Sequence, residues 1–177
     1  SLHFKQGSYH FDYGESLTRM NLFFAYGKGT DKKLSITADG DTSITFAPFL
    51  WSVKGRNSYM RFLGGNHVQK GKDSNNFTYV NADTEEKPSN AFFEVSGDGT
   101  TFDFQSKIII GDTRFPNRTF SFLVNDGGTL SIYDINTSHP GTHIFNVTNG
   151  GTLAFSSANL GEYDLGTSET VDFTKII

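Results

Sequence analysis

Three stretches of the chain share one pattern: FEVSGDGT at residues 93–100, FLVNDGGT at 122–129 and FNVTNGGT at 145–152. They superpose without a gap as an aromatic residue, any residue, Val, a polar residue, two turn residues, Gly and Thr. The alternation of Phe and Val predicts a half-buried strand, and the polar, Gly-containing step that follows predicts a tight turn. Because a repeated unit constrains the whole architecture, this pattern is the strongest indicator of fold in the sequence.

A second alternating run follows each turn, and looser copies of the unit occur at 34–40 and near 62–65. The spacing between copies drifts, which a stack of β coils tolerates because loops can grow outward from a constant cross-section. We therefore predict an all-β fold, specifically a right-handed parallel β-helix (β-solenoid), with a β-sandwich or jelly roll as the alternative. The first run after a turn is one residue out of phase, so we expect Thr101 to absorb an extra residue.

In a solenoid, equivalent positions of successive coils stack about 4.8 Å apart along parallel sheets. An inward-pointing Phe would then lie on the equivalent Phe of the next coil, and a Val on the equivalent Val. The ladder predicted from the three units consists of Phe93, Phe122, Phe145, Val95, Val124, Val147, Gly99, Gly128 and Gly151.

The length of 177 residues predicts a single domain over 1–177. Residues 1–33 are rich in aromatics and are predicted to form N-terminal coils or a cap. Residues 68–90 are the most polar and least periodic part of the chain, so we predict a long loop there. The clearest repeats lie in 93–173.

Composition excludes several classes of function. The chain has 15 basic and 19 acidic residues, a net charge of -4 and no long basic run, which disfavours nucleic acid as a partner. No stretch approaches the roughly 20 apolar residues that a membrane-spanning helix needs. The absence of cysteine excludes disulfides, thiolate metal sites and cysteine nucleophiles, and it suits a chain exported unfolded across an oxidising compartment, although chance gives the same result.

We find no catalytic centre in the sequence and predict no catalytic residue, no metal site and no cofactor. The five histidines form no zinc-protease motif, and no Gly-x-Ser-x-Gly elbow occurs. Acidic residues at or near the turns could form a stacked acidic edge of the kind that glycan-cleaving enzymes use, but turn capping explains them better. These residues are Asp39, Asp41, Asp98, Asp103 and Asp126.

One region combines aromatic and cationic residues, the usual material of protein or glycan contact surfaces. Its candidate binding residues are Trp51, Arg56, Tyr59 and Arg61. The competing interpretation is that most of these rings stack inside the coil.

The repeats GDGTTFDF at 97–104, NDGGTLSIY at 125–133 and TNGGTLAFSSANL at 148–160 resemble those of bacterial autotransporter passenger domains, which are built as right-handed β-helices. The resemblance implies export across the outer membrane and a secreted or bacterial cell-surface location. It also implies a non-enzymatic module for adhesion or host-cell interaction, with a protein or glycan on a host or neighbouring cell as partner.

Two other functions are compatible with the same repeat pattern. One is the β-helical cell-binding and oligomerisation module of a secreted vacuolating-type toxin, which would self-associate through the solenoid ends. The other is a polysaccharide-acting β-helix enzyme or a phage tailspike, since these share the fold.

Overall fold

The computed structural model describes residues 2–11, 20–24, 32–46, 49–53, 57–70, 77–80, 89–110, 118–136 and 142–155. Within these ranges the regular secondary structure is entirely β-strand, so the predicted all-β class is confirmed. The strands are β1 (Leu2–Phe4), β2 (Ser8–Phe11), β3 (Met20–Phe24), β4 (Lys32–Ala38), β5 (Ser43–Phe46), β6 (Phe49–Val53), β7 (Asn57–Leu63), β8 (Asn66–Gln69), β9 (Phe77–Val80), β10 (Ser89–Ser96), β11 (Thr101–Ile110), β12 (Arg118–Asn125), β13 (Thr129–Asn136), β14 (Thr142–Val147) and β15 (Thr152–Phe155).

Two long parallel sheets contain most of these strands. Sheet A has six strands in the order β1-β4-β7-β10-β12-β14. Sheet B has seven, in the order β15-β13-β11-β8-β5-β2 with β9 also paired to β11. A small third sheet pairs β3 with β6, again in parallel.

The chain passes from sheet A to sheet B once in each of six successive segments, which we call coils. The first coil contains β1 and β2, so strands occupy part of the predicted N-terminal coils or cap. The coils that begin with β4 and β7 fill the interval before the unit at 93–100, where two copies of the pattern were expected. Such a strand order is consistent with a parallel β-solenoid.

The prediction of a long loop over 68–90 is wrong for the residues of this range that the structure describes as strands. This range includes the end of β8, the whole of β9 and the start of β10. Strand β9 pairs in parallel with Lys107–Ile110, the second half of β11. A short run of Phe, Thr, Tyr and Val thus forms a strand inside a polar segment because its backbone groups find partners on an existing sheet edge.

The three repeats lie in register in sheet A. Phe93 is paired with Phe122, and Phe122 with Phe145. The Phe93 and Phe122 rings meet edge to face with centroids 5.8 Å apart, whereas Phe122 and Phe145 stack at 5.1 Å with planes 9° apart. Val95, Val124 and Val147 form the adjacent row, and both rows are buried.

The core lies between the inner faces of sheets A and B. Phe62 of sheet A contacts Phe102 of sheet B with ring centroids 4.7 Å apart, and Phe93 contacts Phe102 at 5.0 Å. Phe46 extends the same layer toward the N-terminal coils, since its ring stacks on Phe102 at 6.1 Å. Each buried aromatic ring contributes roughly 2–3 kcal/mol through removal of apolar surface from water.

The predicted placement of Gly99 in the ladder is wrong, because the hydrogen bonds align Thr100 with Gly128 and Gly151. Thr129 N donates to Thr100 O at 2.8 Å, and Thr152 N donates to Gly128 O at 2.8 Å. The extra residue expected from the phase shift is present, because the turn over 97–100 contains one residue more than the two later turns. It lies within the turn, and Thr101 itself pairs normally with Thr129.

The glycines at these turns serve two different purposes. Gly99, Gly127 and Gly150 have φ of 73°, 81° and 77°, a left-handed conformation that favours glycine. Gly128 and Gly151 instead permit close stacking of coils. A Cβ on Gly151 would lie 2.2 Å from Val124 O of the preceding coil, and one on Gly128 would lie 2.7 Å from Val95 O.

Candidate functional site

A partly buried polar cluster lies on the outer face of sheet A and consists of Tyr59, Arg61, Glu94 and Asn125; we call it the Glu94 cluster. Side chains alternate between the two faces of a strand. Since neighbouring residues of β7 and β10 point into the core, Tyr59, Arg61 and Glu94 point outward. The parallel register then pairs Arg61 with Glu94 across the two strands.

Glu94 accepts hydrogen bonds on both carboxylate oxygens. Arg61 Nε donates to Oε2 at 2.8 Å, the Tyr59 hydroxyl donates to the same oxygen, and Asn125 Nδ2 donates to Oε1 at 3.3 Å. The Glu94 side chain is 2% exposed, whereas that of Arg61 is 40% exposed. The buried Glu94 carboxylate is therefore compensated by hydrogen-bond donors on neighbouring strands, and Arg61 is the member of the ion pair that is exposed to solvent.

Aromatic contacts hold the cationic side chain in place. The Arg61 guanidinium carbon lies 5.5 Å from the centroid of the Tyr59 ring, within the range of a cation–π interaction. The Tyr59 ring in turn stacks on Phe92 at 5.2 Å with planes 26° apart. An arginine fixed by a carboxylate and a ring has fewer rotamers to lose when it binds a partner.

Burial, followed by the hydrogen bond to Glu94 and its negative charge, raises the pKa of Tyr59 to about 12. The hydrogen bond to Glu94 is also the main cause that raises the pKa of Arg61. At neutral pH Tyr59 is therefore a neutral hydrogen-bond donor and Arg61 a cation. This combination suits recognition of an anionic or ring-bearing partner.

The structure brings together two of the four residues predicted to bind a partner. Tyr59 and Arg61 belong to the Glu94 cluster. Trp51 lies in β6, opposite Leu22 of β3, but its side chain is outside the described part of the structure. Arg56 lies outside the described residues altogether.

Sequence reasoning missed Glu94 and Asn125. Glu94 stands between Phe93 and Val95, two inward positions of the clearest repeat, so its outward orientation could have been predicted. Its pairing with Arg61 could not, because that unit of the pattern is degenerate and its register with β10 is undetermined from sequence.

The acidic residues of the turns bind groups of neighbouring coils. Asp126 accepts hydrogen bonds from Ser96 Oγ at 3.2 Å and from Asn149 Nδ2 at 3.1 Å. Asp39 accepts from the backbone N of Gln6 at 3.2 Å and lies 3.0 Å from His3 Nε2. These contacts are made with other coils and not with backbone N–H groups of the same turn, so for Asp39 and Asp126 they do not show the local turn capping that was expected.

One histidine lies in the core. His67 Nε2 is 2.8 Å from Gly64 O, and its ring contacts those of Phe62 and Phe102. Its Nδ1 has no hydrogen-bond partner within the described ranges. Desolvation lowers the pKa of His67 to about 4, so the ring is neutral at pH 7 and packs as a core residue.

In the part of the chain that the structure describes, no group of three or more His, Cys, Asp or Glu side chains is placed to hold a metal ion. The same residues contain no helix long and apolar enough to cross a membrane. Comparisons with protein-family models, curated proteins and solved structures found no match.

Proposed function

We propose that this chain is part of a right-handed β-solenoid in an exported bacterial surface protein of the autotransporter passenger type, where it acts as a non-enzymatic module for adhesion or host-cell interaction. The observation that carries the proposal is the parallel, in-register stacking of six coils around one aromatic core. The right-handed path follows from the strong preference of parallel crossover connections for that hand.

Stacked coils suit a display function because the scaffold is stiff in the direction of stacking. Backbone hydrogen bonds join each coil to the next, as in Thr129 N to Thr100 O and Thr152 N to Gly128 O, both 2.8 Å. Outward side chains can vary without disturbing this ladder, and rigid scaffolds commonly carry binding residues on such positions.

The Glu94 cluster is the contact surface that we propose for a protein or glycan on a target cell. Arg61 offers a partly exposed guanidinium held by Glu94, and Tyr59 and Phe92 form an aromatic stack beside it. Arginine and tyrosine are enriched among residues that dominate binding energy. A carboxylate on a protein or an acidic sugar would pair with Arg61, and a sugar ring would pack against the aromatic stack.

Binding to cells tests the adhesive role. Fluorescently labelled chain should bind target cells saturably in flow cytometry, and Arg61→Gln should weaken binding by about tenfold, equivalent to about 1.4 kcal/mol. Tyr133→Ala on sheet B, which removes a side chain that is 56% exposed, is the matched control and should bind normally. Saturable binding that Arg61→Gln leaves unchanged in a variant with native circular dichroism would refute this contact surface.

Location in the producing cell tests the export route independently. Antibodies raised against the chain should label intact cells, and external protease should abolish the signal while a cytoplasmic marker survives. Labelling that requires permeabilised cells would refute a surface location, whatever the result of the binding experiment.

A further inference from the structure

The turn between β14 and β15 contains Asn149-Gly150, the one Asn-Gly pair in the sequence. Gly151 N donates to Thr148 O at 2.9 Å and closes the turn. Asn149 and Gly150 have φ of 50° and 77°, so both central residues are left-handed, as in a type I′ turn. Both residues are exposed to solvent.

The backbone nitrogen of Gly150 is free to react. Among the described residues it has no hydrogen-bond partner, and no atom lies within 4 Å of the position that a Cβ on Gly150 would occupy. The corresponding nitrogen of the preceding coil is engaged, because Gly127 N donates to Asn149 O at 3.1 Å. The two stacked turns therefore differ in the availability of this one atom.

One contact of Asn149 favours attack by that nitrogen. The hydrogen bond from Gly127 N to Asn149 O withdraws electron density from the Asn149–Gly150 peptide group and makes the Gly150 N–H more acidic. A second contact opposes attack, because Asn149 Nδ2 donates to Asp126 Oδ1 at 3.1 Å and so holds the side-chain amide toward the neighbouring coil. Attack therefore requires that this hydrogen bond open, which the exposure of Asn149 and Gly150 to solvent allows.

We propose that Asn149 is a site of spontaneous deamidation in the folded chain. Gly150 N gives its proton to solvent hydroxide and attacks Asn149 Cγ, so that a new C–N bond forms and the Cγ–Nδ2 bond breaks. The leaving nitrogen takes a proton from water and departs as ammonia, which regenerates the hydroxide. Water then opens the cyclic imide at either carbonyl and yields aspartate or isoaspartate. The net change is consumption of one water and release of one ammonia, with no oxidation or reduction.

The reaction alters contacts between coils. The product at position 149 loses the donor that Asp126 Oδ1 accepts and places a second carboxylate beside it. Isoaspartate also adds a methylene to the backbone, which is incompatible with the bond from Gly151 N to Thr148 O. Deamidation therefore weakens the connection between β14 and β15 and the contact of this turn with the turn between β12 and β13.

Peptide mapping with electron-transfer fragmentation tests the proposal on the purified, folded chain. Incubation at mildly alkaline pH should convert Asn149 to a mixture of aspartate and isoaspartate at least about tenfold faster than Asn125 or Asn66, with a rate that rises with hydroxide concentration. Asp126, whose following nitrogen is engaged, should not isomerise over the same period. If Asn149 keeps its amide in the folded chain while urea-unfolded chain converts, the proposal is wrong.

The structural consequence has a separate test. Asn149→Asp reproduces the aspartate product and should lower the urea midpoint of unfolding. Asn66→Asp, at another exposed position, is the matched control and should leave the midpoint unchanged. Equal midpoints for Asn149→Asp and the unmodified chain would refute the claimed weakening of this coil.

Discussion

Arg61 Nε donates to Glu94 Oε2 at 2.8 Å across two strands of sheet A, and only the arginine reaches solvent. The pair therefore combines a buried charge with an exposed one. Removal of the arginine leaves the Glu94 carboxylate buried with only two neutral donors. A buried charge without its ionic partner destabilises the folded chain.

We predict that Arg61→Ala lowers the free energy of unfolding by about 1–2 kcal/mol, a value reduced from that of a fully buried pair because Arg61 is partly exposed. Urea denaturation measures the change. Lys70→Ala removes an exposed positive charge elsewhere and should change stability by less than about 0.5 kcal/mol. The double variant Arg61→Ala/Glu94→Gln should recover part of the loss; no recovery would contradict the assigned pairing.

The Tyr59 hydroxyl should lose its proton at a higher pH than an ordinary tyrosine. Its pKa of about 12 exceeds the usual value of 10, so the unfolded chain releases this proton at lower pH than the folded one. Stability linked to Tyr59 is complete below pH 10 and falls as pH rises from 10 to 12. Ultraviolet difference titration should show a late phenol that Tyr59→Phe removes and Glu94→Gln moves to lower pH. A Tyr59→Phe variant that loses no late phenol would contradict the assignment.

His67 should make the fold sensitive to acid. The ring is neutral in the folded chain with a pKa of about 4, whereas in the unfolded chain it protonates near pH 6.5. Its contribution is therefore complete above pH 6.5 and is lost as pH falls toward 4, by up to roughly 3 kcal/mol.

Urea midpoints measured across this pH range check the prediction. His67→Leu should flatten the pH dependence, although it also removes the hydrogen bond to Gly64 O. An unaltered slope in His67→Leu would show that other groups cause the acid sensitivity.

Close approach of successive coils should make Gly151 intolerant of any side chain. A Cβ there would lie 2.2 Å from Val124 O, so we expect Gly151→Ala to cost about 3 kcal/mol or more. Gly40→Ala is the matched control, because nothing lies within 4 Å of its Cβ position and its φ is not left-handed. Thermal or urea unfolding should separate the two variants; equal stability would refute the stacking.

The aromatic ladder should dominate core stability. Phe122 is buried between Phe93 and Phe145, so Phe122→Ala should cost about 3–5 kcal/mol. Tyr133→Ala, at an exposed aromatic of sheet B, should change stability by less than about 0.5 kcal/mol. A small loss for Phe122→Ala would indicate that the coils are not packed on one shared core.

The repeats allowed the parallel ladder to be predicted because alternation and turn chemistry are local properties. Phe and Val at fixed offsets identify the inward face, and Asp126-Gly127 or Asn149-Gly150 identify a turn with two left-handed residues. Gly99 was misplaced because the gapless alignment set it against Gly128, although the phase shift after the first turn already indicated an extra residue.

The features that could not be predicted depend on contacts between distant segments. Strand β9 forms where β11 continues beyond the repeat and offers an edge for pairing. Residues 77–80 are of types that favour strands, but they do not indicate which strand they pair with. The Glu94 cluster likewise requires the register between β7 and β10. His67 has no distinctive sequence signal, since burial alone makes it a neutral core residue.

The parallel register also determines how such a chain can change length. Each strand of sheets A and B bonds only with the strands of the coil before and the coil after. Tandem duplication of one complete coil would therefore keep each existing kind of interface and add one new interface, in which the coil pairs with its own copy. Recombination at the repeats can lengthen or shorten the molecule in whole-coil increments, so the reach of the protein can evolve separately from its surface chemistry.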